Sequence, residues 1–374
     1  MKILIACHYY SPHLGGIETV VENQAALLAV NDDVTILTSS IGASKKIKNT
    51  SNIYSIIRIP AINFLESRFG IPFPLFSPSI IWKAFRAVKN ADIIHVHDSL
   101  YISSIVTVFW AKLLNKPVVL TQHISIVPHP KATVIMVQKL VYKITGLYII
   151  KNSQKIFIIN TVVKEFLIQL GADENKIVSY KNGIDLSLFK PPTQEQRVSI
   201  RRKYNLPVKD HLVLFVGRFV PKKGFKELLQ SESGDYTIVF VGGEKPSNLK
   251  DSKHLIFLGQ LSQREIAEVY RASDIFILPS KGEGFPLSIQ EAMASGLPII
   301  TTDDKGYEIY NFDREKLLLI EPTVENIKLN INKLLANPHL RAEMSKYSTS
   351  YALRYFNWKT SSKAIIDSYQ EIMS

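Results

Sequence analysis

The sequence is poor in cysteine: among its 374 residues only Cys7 is present, and it lies in the first apolar segment. A lone thiol excludes a disulfide framework and a cysteine-ligated zinc site, and it suits a reducing compartment. The N-terminus lacks the long apolar run and the small-residue cleavage site of a signal peptide. No uncharged apolar run approaches the roughly 18 residues that a membrane span needs. These absences predict a cytoplasmic protein that does not cross a membrane.

Negative charge is missing from one long interval. No Asp or Glu occurs between Asp98 and Glu165, whereas eight lysines do, and the net charge of the chain is +12. Within 134–151 several of these lysines alternate with Ile, Val, Leu and Tyr. Such a segment can lie on the anionic inner face of a membrane, or it can be a core-packed helix with a solvated lysine face. Both interpretations stay open, and nucleic acid is not an expected partner because no binding motif or arginine cluster accompanies the charge.

Apolar strand-like segments alternate with helical segments along the whole chain, which indicates parallel sheets covered on both faces. A chain of 374 residues is too long for one ordinary core. The segments form two series, so we predict an α/β protein with two doubly wound, Rossmann-like domains. The predicted parts are residues 1–190 as the first domain, 191–206 as a linker, 207–357 as the second domain and 358–374 as a C-terminal helix.

The most informative segment begins with an apolar strand near Ile275, continues through Gly-Glu-Gly-Phe-Pro and enters a helix that ends at Gly296. A strand, loop and helix in this order point backbone N–H groups at a ligand above the sheet, which suits an anion. Glu283 and Glu291 bracket this site and cannot themselves favour a phosphate. They suit the hydroxyls of a ligand with sugar rings on either side of its phosphates. The segment therefore predicts a nucleoside diphosphate sugar as the ligand.

The same segment resembles the paired-glutamate signature of glycosyltransferase family 4, whose members are retaining enzymes with the GT-B fold. In that family the first glutamate contacts the donor sugar and the second holds the nucleotide ribose, which places these roles on Glu283 and Glu291. The loop that approaches the sugar and phosphates corresponds to Gly284, Phe285, Pro286 and Leu287. The resemblance also implies two domains that face each other across a cleft, with the last helix crossing back to the first domain.

Three cationic residues follow the first strand of the second domain, in the segment Arg-Phe-Val-Pro-Lys-Lys that ends at Lys223, and Lys222 among them is interpreted as a neighbour that faces solvent. Fixed cations beside a helix N-terminus suit a diphosphate, because the charge on this leaving group grows as the glycosidic bond breaks. The family has its diphosphate-binding Arg and Lys at this spacing, so the resemblance assigns Arg218 and Lys223 to that role. The sequence has no Asp-x-Asp at a strand end and only scattered histidines. We therefore expect no metal site and no cofactor, with the two cations replacing a divalent ion.

The first domain contributes a glycine pair and a histidine. Gly15 and Gly16 separate the first strand from a helix and resemble the family's glycine loop, which approaches the donor phosphates. His123 follows a strand in Thr-Gln-His and occupies the place of a family histidine that lies by the donor sugar and the acceptor. His95 and His97, at the end of the preceding strand, are interpreted as hydrogen-bonded structural residues.

The resemblance predicts a metal-independent, retaining glycosyltransferase that moves a sugar from a nucleoside diphosphate sugar to an acceptor hydroxyl. Its predicted catalytic residues are His123, Arg218, Lys223 and Glu283. The basic surplus lies in the half that receives the acceptor in enzymes of this fold, which favours a glycan or lipid-linked acceptor of cell-surface glycan synthesis. A nucleotide-sugar epimerase and a non-catalytic nucleotide-sugar-binding subunit stay open as alternatives. The family's Gly-Gly-x-x-Glu motif is incomplete in 303–308, where only Glu308 matches and a glycine is missing.

Overall fold

A computed structural model of the protein describes residues 1–13, 15–43, 53–69, 71–127, 131–281 and 284–374. Glu283 lies outside the described residues. The described chain forms two compact units: the first contains residues 1–183 and 358–374, and the second contains residues 184–357. The stretch 191–206, predicted as a linker, lies within the second unit, and the last helix belongs to the first unit.

Helices and strands alternate along both units. The strands are β1 Lys2–Ala6, β2 Asp33–Ser39, β3 Ser55–Ile59, β4 Ala61–Ile62, β5 Leu75–Phe76, β6 Ile93–His97, β7 Val118–Gln122, β8 Lys155–Ile158, β9 Ile177–Ser179, β10 Leu212–Val216, β11 Thr237–Val241, β12 Leu255–Phe257, β13 Ile275–Leu278, β14 Ile299–Thr302 and β15 Leu318–Ile320. The α-helices are α1 Gly16–Leu28, α2 Phe64–Phe69, α3 Ser79–Asn90, α4 Ile102–Leu113, α5 Ala132–Val141, α6 Leu147–Asn152, α7 Thr161–Gln169, α8 Gln194–Lys203, α9 Phe225–Gln230, α10 Gln263–Ala272, α11 Leu287–Ala294, α12 Val324–Ala336, α13 Pro338–Tyr355 and α14 Trp358–Met373.

The first unit is built on a seven-stranded parallel sheet in the order β3-β2-β1-β6-β7-β8-β9. Alternate residues of each strand face opposite sides, so both faces must be covered by helices. Ile3 and Ile5 face a core that includes residues of α1 and α14. Leu4 and Ala6 face the opposite core, which includes residues of α3, α4, α6 and α7. The near-continuous apolar strands predicted this two-sided burial.

The second unit is built on a six-stranded parallel sheet in the order β12-β11-β10-β13-β14-β15. From β10 the chain builds outward to β11 and β12, and then returns to the other side of β10 to place β13. The strand order therefore reverses between β10 and β13. In open parallel sheets, ligands bind beyond the carboxyl ends of the two strands at such a switch point. This topology places the loops after β10 and β13 at the expected ligand crevice of the second unit.

One helical segment of the first unit, Ala132–Asn152, is long and apolar enough to cross a membrane on length and composition alone, with a mean hydropathy of 1.4. It consists of α5, a π-helical turn over Tyr142–Gly146, and α6. Uncharged runs did not reveal it in the sequence because lysines interrupt the apolar residues. Ile149 and Ile150 of α6 pack in the core beneath the sheet. Because a helix that is part of this core cannot also span a bilayer, we interpret the segment as a surface element.

Candidate active site

The loops after β10 and β13 are held together at the switch point. Gly224 follows the first loop with φ +68°, a left-handed conformation that glycine adopts without strain. A Cβ at Gly224 would lie 2.2 Å from the backbone oxygen of Pro279, which belongs to the second loop. The Lys281 N–H donates to the Lys222 carbonyl oxygen at 2.8 Å. A close approach and a backbone hydrogen bond therefore fix the two loops against each other.

The two predicted diphosphate ligands lie on the first of these loops. Arg218 comes directly after β10 and is exposed, whereas Lys223 is half-buried in a 3₁₀ turn that leads into α9. The Lys223 side chain passes beside Gly217, since a Cβ there would lie 3.8 Å from Lys223 Cδ. The stem of Lys223 thus returns toward the end of β10, where Arg218 begins. The local fold gathers both cations at the carboxyl end of the strand.

In the described part of the second loop that leads into α11, Phe285, Pro286 and Leu287 can offer a ligand only backbone atoms or apolar surface. The Phe285 ring is buried, with its centroid 5.1 Å from that of Tyr307, 4.5 Å from that of Tyr310 and 5.0 Å from that of Phe312. Pro286 is the N-cap residue of α11 and has no N–H to donate. The partly buried Leu287 packs against the core of the second unit. A donor contact from Phe285 is therefore restricted to its backbone, and the same core fixes the loop's position.

Glu291 lies on α11, and its carboxylate is paired with a tyrosine that the sequence did not reveal. The Tyr270 hydroxyl, on α10, lies 3.1 Å from Glu291 Oε2 and 2.9 Å from the Ser288 carbonyl oxygen. Burial raises the pKa of Glu291 to about 8, although the hydrogen bond from Tyr270 favours its charged form. With Glu291 protonated, its O–H can donate to Tyr270 while the Tyr270 hydroxyl donates to Ser288. Both protons then have an acceptor.

In the first unit, the glycine pair lies at the start of α1. Gly15 is the N-cap residue, and a Cβ there would lie 2.3 Å from Glu18 Oε2. Glu18 is buried and held in place by His13, whose Nδ1 lies 2.6 Å from Glu18 Oε1. A Cβ at Gly16 would meet no atom within 4 Å. The structure of the first unit thus gives a steric reason for glycine at Gly15, and it leaves space above Gly16.

His123 is hydrogen-bonded to His97, for which the sequence predicts a structural role. Nδ1 of His97 lies 2.9 Å from Nε2 of His123, so one ring donates to the other. Burial lowers the pKa of His123 to about 3 and places the pKa of His97 well below its ordinary value. Both imidazoles are therefore neutral near pH 7. His123 can act as a hydrogen-bonding group, but it is not a cation.

Asp98 fixes the backbone of His123. Its Oδ1 accepts the N–H of His123 at 2.7 Å and that of Ile124 at 3.3 Å. Burial raises the pKa of Asp98 to about 7, and the two backbone hydrogen bonds oppose the rise. Among the described residues, neither Asp98 Oδ2 nor His97 Nε2 has a hydrogen-bond partner. Two buried polar atoms beside His123 are thus available to a ligand or to water.

His95 has hydrogen-bond partners at both ring nitrogens. Its Nδ1 lies 2.6 Å from the Tyr369 hydroxyl and 3.0 Å from Gln24 Nε2, and its Nε2 lies 2.7 Å from Thr121 Oγ1. These partners come from α14, α1 and β7, so the ring connects the covering helices with the sheet. This geometry agrees with a structural role.

Glu308, the residue that matches the family's Gly-Gly-x-x-Glu motif, is exposed. It lies in a 3₁₀ turn over Lys305–Tyr310, in which the Gly306 N–H donates to the Asp304 carboxylate. Within the ranges that the structure describes, no three His, Cys, Asp or Glu side chains come close enough to hold a metal ion.

Comparisons with known proteins decide the family. The family model described as Glycosyltransferase Family 4 matches residues 14–188, and that described as Glycosyl transferases group 1 matches residues 196–351. The chain belongs to glycosyltransferase family 4. The two matches meet near the division between the two structural units, so each unit of this glycosyltransferase corresponds to one family model.

Individual relatives agree with this assignment. An uncharacterised glycosyltransferase of Methanocaldococcus jannaschii is 24% identical over 97% of this chain and 96% of its own length. The N,N'-diacetylbacillosaminyl-diphospho-undecaprenol alpha-1,3-N-acetylgalactosaminyltransferase of Campylobacter jejuni is 32% identical over 55% of this chain and 57% of its own length. The crystal structure of Anabaena HepE with UDP-glucose matches with a TM-score of 0.78 and 18% identity, over 99% of this chain and all of that one. The predicted GT-B fold and the transferase class are confirmed.

A substitution of Asp98 tests whether it positions His123 in this enzyme. Asp98 has φ +60°, which asparagine tolerates and alanine does not. Asp98→Asn keeps the acceptor oxygen, so we expect kcat within a few-fold of wild type. Asp98→Ala loses that acceptor, and we expect it to lower the free energy of unfolding by about 2–4 kcal/mol. Denaturant unfolding and kinetics of both variants provide the measurement, and equal behaviour of the two would contradict the positioning role.

Proposed function

We propose that the enzyme transfers a sugar, with retention of configuration, from a nucleoside diphosphate sugar to an acceptor hydroxyl. The observation that carries the donor proposal is the switch point of the second unit. There, the loop with Arg218 and Lys223 is fixed to the loop that leads to Glu291 through Gly224 and Pro279. The cations proposed for the diphosphate lie on one of these two contacting loops, and the acceptor proposed for the ribose hydroxyls lies on the helix that follows the other. HepE shares the fold and has been crystallised with UDP-glucose, which supports UDP-sugars as the donors to test first.

The proposed roles follow from the chemistry of each group. Arg218 provides a planar fork and Lys223 a compact charge, and both stabilise the diphosphate as the glycosidic bond breaks and negative charge accumulates on it. The Glu291 carboxylate accepts hydrogen bonds from the ribose hydroxyls. Glu283 and the neutral His123 orient the sugar ring. A diphosphate oxygen takes the proton of the acceptor hydroxyl, whose oxygen bonds to the anomeric carbon on the face that the diphosphate leaves. Retention therefore requires no covalent adduct with a side chain.

For the acceptor we propose a lipid-linked or polysaccharide glycan at the cytoplasmic face of a membrane. The Campylobacter jejuni relative is named for a diphospho-undecaprenol-linked sugar, which supports a lipid-linked class of acceptor. The basic, acid-free interval between Asp98 and Glu165 in the first unit supports an anionic surface beside the acceptor.

The donor proposal is tested by thermal denaturation with a panel of UDP-, ADP-, GDP- and dTDP-sugars. A ligand that binds only the folded state at a hundredfold excess over Kd stabilises it by about 2.7 kcal/mol. For a unit of this size we expect a rise in Tm of roughly 5–10 °C. The free sugar alone is the control and should have no effect. If no nucleotide sugar raises Tm, the donor proposal is wrong.

The transfer step is tested with the donor that stabilises the protein most. We expect radiolabelled sugar to move into a solvent-extractable lipid or a polysaccharide fraction, with release of the nucleoside diphosphate. Release of an isomerised nucleotide sugar in the absence of any acceptor would identify an epimerase instead. Tight donor binding without transfer to any membrane or soluble fraction would favour a non-catalytic subunit.

A further inference from the structure

Helix α5 is apolar yet has no buried residue. Met136, Val137, Leu140 and Ile144 form the α5 stripe, which extends into the π-helical turn, and each of them is more than half exposed. At 3.6 residues per turn, positions 136, 140 and 144 recur on one side of a helix. Lys139 and Lys143, also exposed, flank this stripe. Most helices on a protein surface turn their apolar side toward the core, and α5 does not.

A second exposed apolar surface lies on α3 and α4, which pack beside each other. The aromatic face consists of Trp82, Phe85, Trp110 and Phe109, whose rings follow one another in that order. Successive centroids are 5.4 Å, 4.9 Å and 5.2 Å apart. Both ends of this row are exposed, Trp82 by 56% and Phe109 by 46%. The Trp110 indole N–H donates to the Ile81 carbonyl oxygen at 2.9 Å, which fixes α4 to α3.

The two surfaces belong to the same side of the sheet. Residues of α3, α4 and α6 contribute to one core beneath it. Lys112 of α4 lies with its ammonium group 5.6 Å from the Tyr148 ring centroid of α6, so these two helices are neighbours. Since α5 continues into α6 through the π-helical turn, the α5 stripe extends from the layer that bears the aromatic face.

The charge on these elements has a single sign. Neither α3, nor α4, nor the segment 132–152 contains Asp or Glu. Each of them contains at least one lysine. Helix α3 also contains Arg86, whose guanidinium lies 5.0 Å from the Trp82 ring centroid. Tryptophan beside arginine and lysine is the side-chain chemistry of a membrane–water interface, where the ring enters the headgroup region and the cations meet anionic lipid.

We propose that the aromatic face and the α5 stripe together dock the first unit on an anionic lipid bilayer, with the rings in the headgroup region. A second copy of the chain is a poor occupant, because a two-fold interface would bring these cations against themselves. A spanning role is excluded by the packing of α6 in the core. The inference rests on the proposed function only for its purpose, which is to bring the enzyme to a lipid-linked acceptor.

Vesicle flotation tests the surface with the full chain. We expect binding to phosphatidylcholine vesicles that contain phosphatidylglycerol, weak binding to phosphatidylcholine alone, and weaker binding at high salt. Lys139→Gln with Lys143→Gln should lower the partition coefficient by about fivefold for each lysine. Trp82→Ala with Phe109→Ala should lower it about tenfold or more. Equal binding by wild type and the aromatic variant would overturn the proposal, as would no binding by wild type.

Matched controls come from the second unit. Leu329 and Leu353 are exposed by 65% and 58%, so Leu329→Ala with Leu353→Ala removes comparable apolar surface elsewhere. Lys328→Gln with Lys333→Gln removes two lysines of α12. Both control variants should bind vesicles as wild type does. If a control variant loses as much vesicle binding as the test variants do, binding does not depend on the α5 stripe and the aromatic face, and the proposed docking surface is wrong.

Tryptophan fluorescence gives a second measurement, which does not require the fold to tolerate alanine at these positions. Trp82→Phe keeps an aromatic ring, and we expect the vesicle-induced blue shift of wild type to shrink strongly in this variant. An undiminished shift would overturn insertion of Trp82. Donor binding, measured by thermal shift in the same preparations, separates the two proposals. Donor binding without vesicle binding refutes only the docking surface, and vesicle binding without donor binding refutes only the proposed donor site.

Discussion

Replacing Lys223 by alanine is expected to lower kcat by about 10²- to 10³-fold, the usual effect of removing one preorganised donor to a developing negative charge. The diphosphate carries more charge in the transition state than in the bound donor, so Lys223 in its proposed role stabilises the transition state more than the bound donor. Donor affinity should therefore fall less than kcat does. Steady-state kinetics combined with calorimetric donor titration gives both quantities.

The same loop offers a partner variant and a control. Arg218→Ala should behave as Lys223→Ala does, and the double variant should lose less than the product of the single effects, because both cations act on one diphosphate. Lys222 is adjacent and exposed, so Lys222→Ala should change kcat by no more than a few-fold. An unchanged kcat in Lys223→Ala would contradict its role. Activity that requires added divalent metal and vanishes with a chelator would contradict the metal-independent mechanism.

The fold could be predicted because its information is local. Apolar strands such as β10 and β13 are recognisable as uninterrupted runs, and helices such as α9 and α10 lie between strands, in the alternation that the sequence predicts. Parallel sheets buried on both faces follow from those runs, since such strands have no solvent-facing side. The sequence was therefore sufficient to place Arg218 and Lys223 after the strand that bears them, whereas the strand order that creates the switch point comes from the structure.

The supporting shell of the site could not be predicted because it depends on contacts between distant residues. Tyr270 is one of several apolar positions on the inner side of α10, and only packing shows that its hydroxyl reaches Glu291. The contact of Asp98 with the His123 backbone joins the ends of neighbouring strands in the same way. Phe285 belongs to a motif that suggests donor contact, yet its ring is required by the core. Sequence motifs identify the groups, and packing decides which of their atoms face a ligand.

The lysine-rich interval illustrates the same limit. Its composition fits a membrane-facing helix and a core-packed helix equally well, because both have lysines beside apolar residues. The structure divides the segment: α6 contributes Ile149 and Ile150 to the core, whereas no residue of α5 is fully buried. The aromatic face on α3 and α4 had no signal in the periodicity, since Trp82 and Phe109 come from segments that are distant in sequence.

Glu291→Gln is expected to lower donor affinity by about tenfold or more near pH 8. In its proposed role the carboxylate accepts hydrogen bonds from the ribose hydroxyls, and a bond to a charged group contributes about 1.5–3 kcal/mol. Glutamine keeps the shape of the side chain and one acceptor oxygen, so the fold and kcat at saturating donor should change little. Calorimetric titration with UDP-glucose provides the affinity, and an unchanged Kd would rule out the ribose role.

The pH dependence of donor binding is the sharper test of Glu291, because burial raises the pKa of this group to about 8 in the free protein. If only the carboxylate binds ribose, the apparent donor affinity is proportional to the deprotonated fraction of Glu291. This affinity should therefore rise more than tenfold between about pH 6 and pH 8. In Glu291→Gln this rise should disappear.

The raised pKa of Glu291 also makes stability depend on pH. The contribution of this group to the free energy of unfolding is fully present below the ordinary pKa of 4.5 and is lost as the pH rises to about 8. The free energy of unfolding of the glutamine variant should therefore fall less than that of wild type over this range. A donor affinity that rises equally in both proteins would show that another group controls the ribose site.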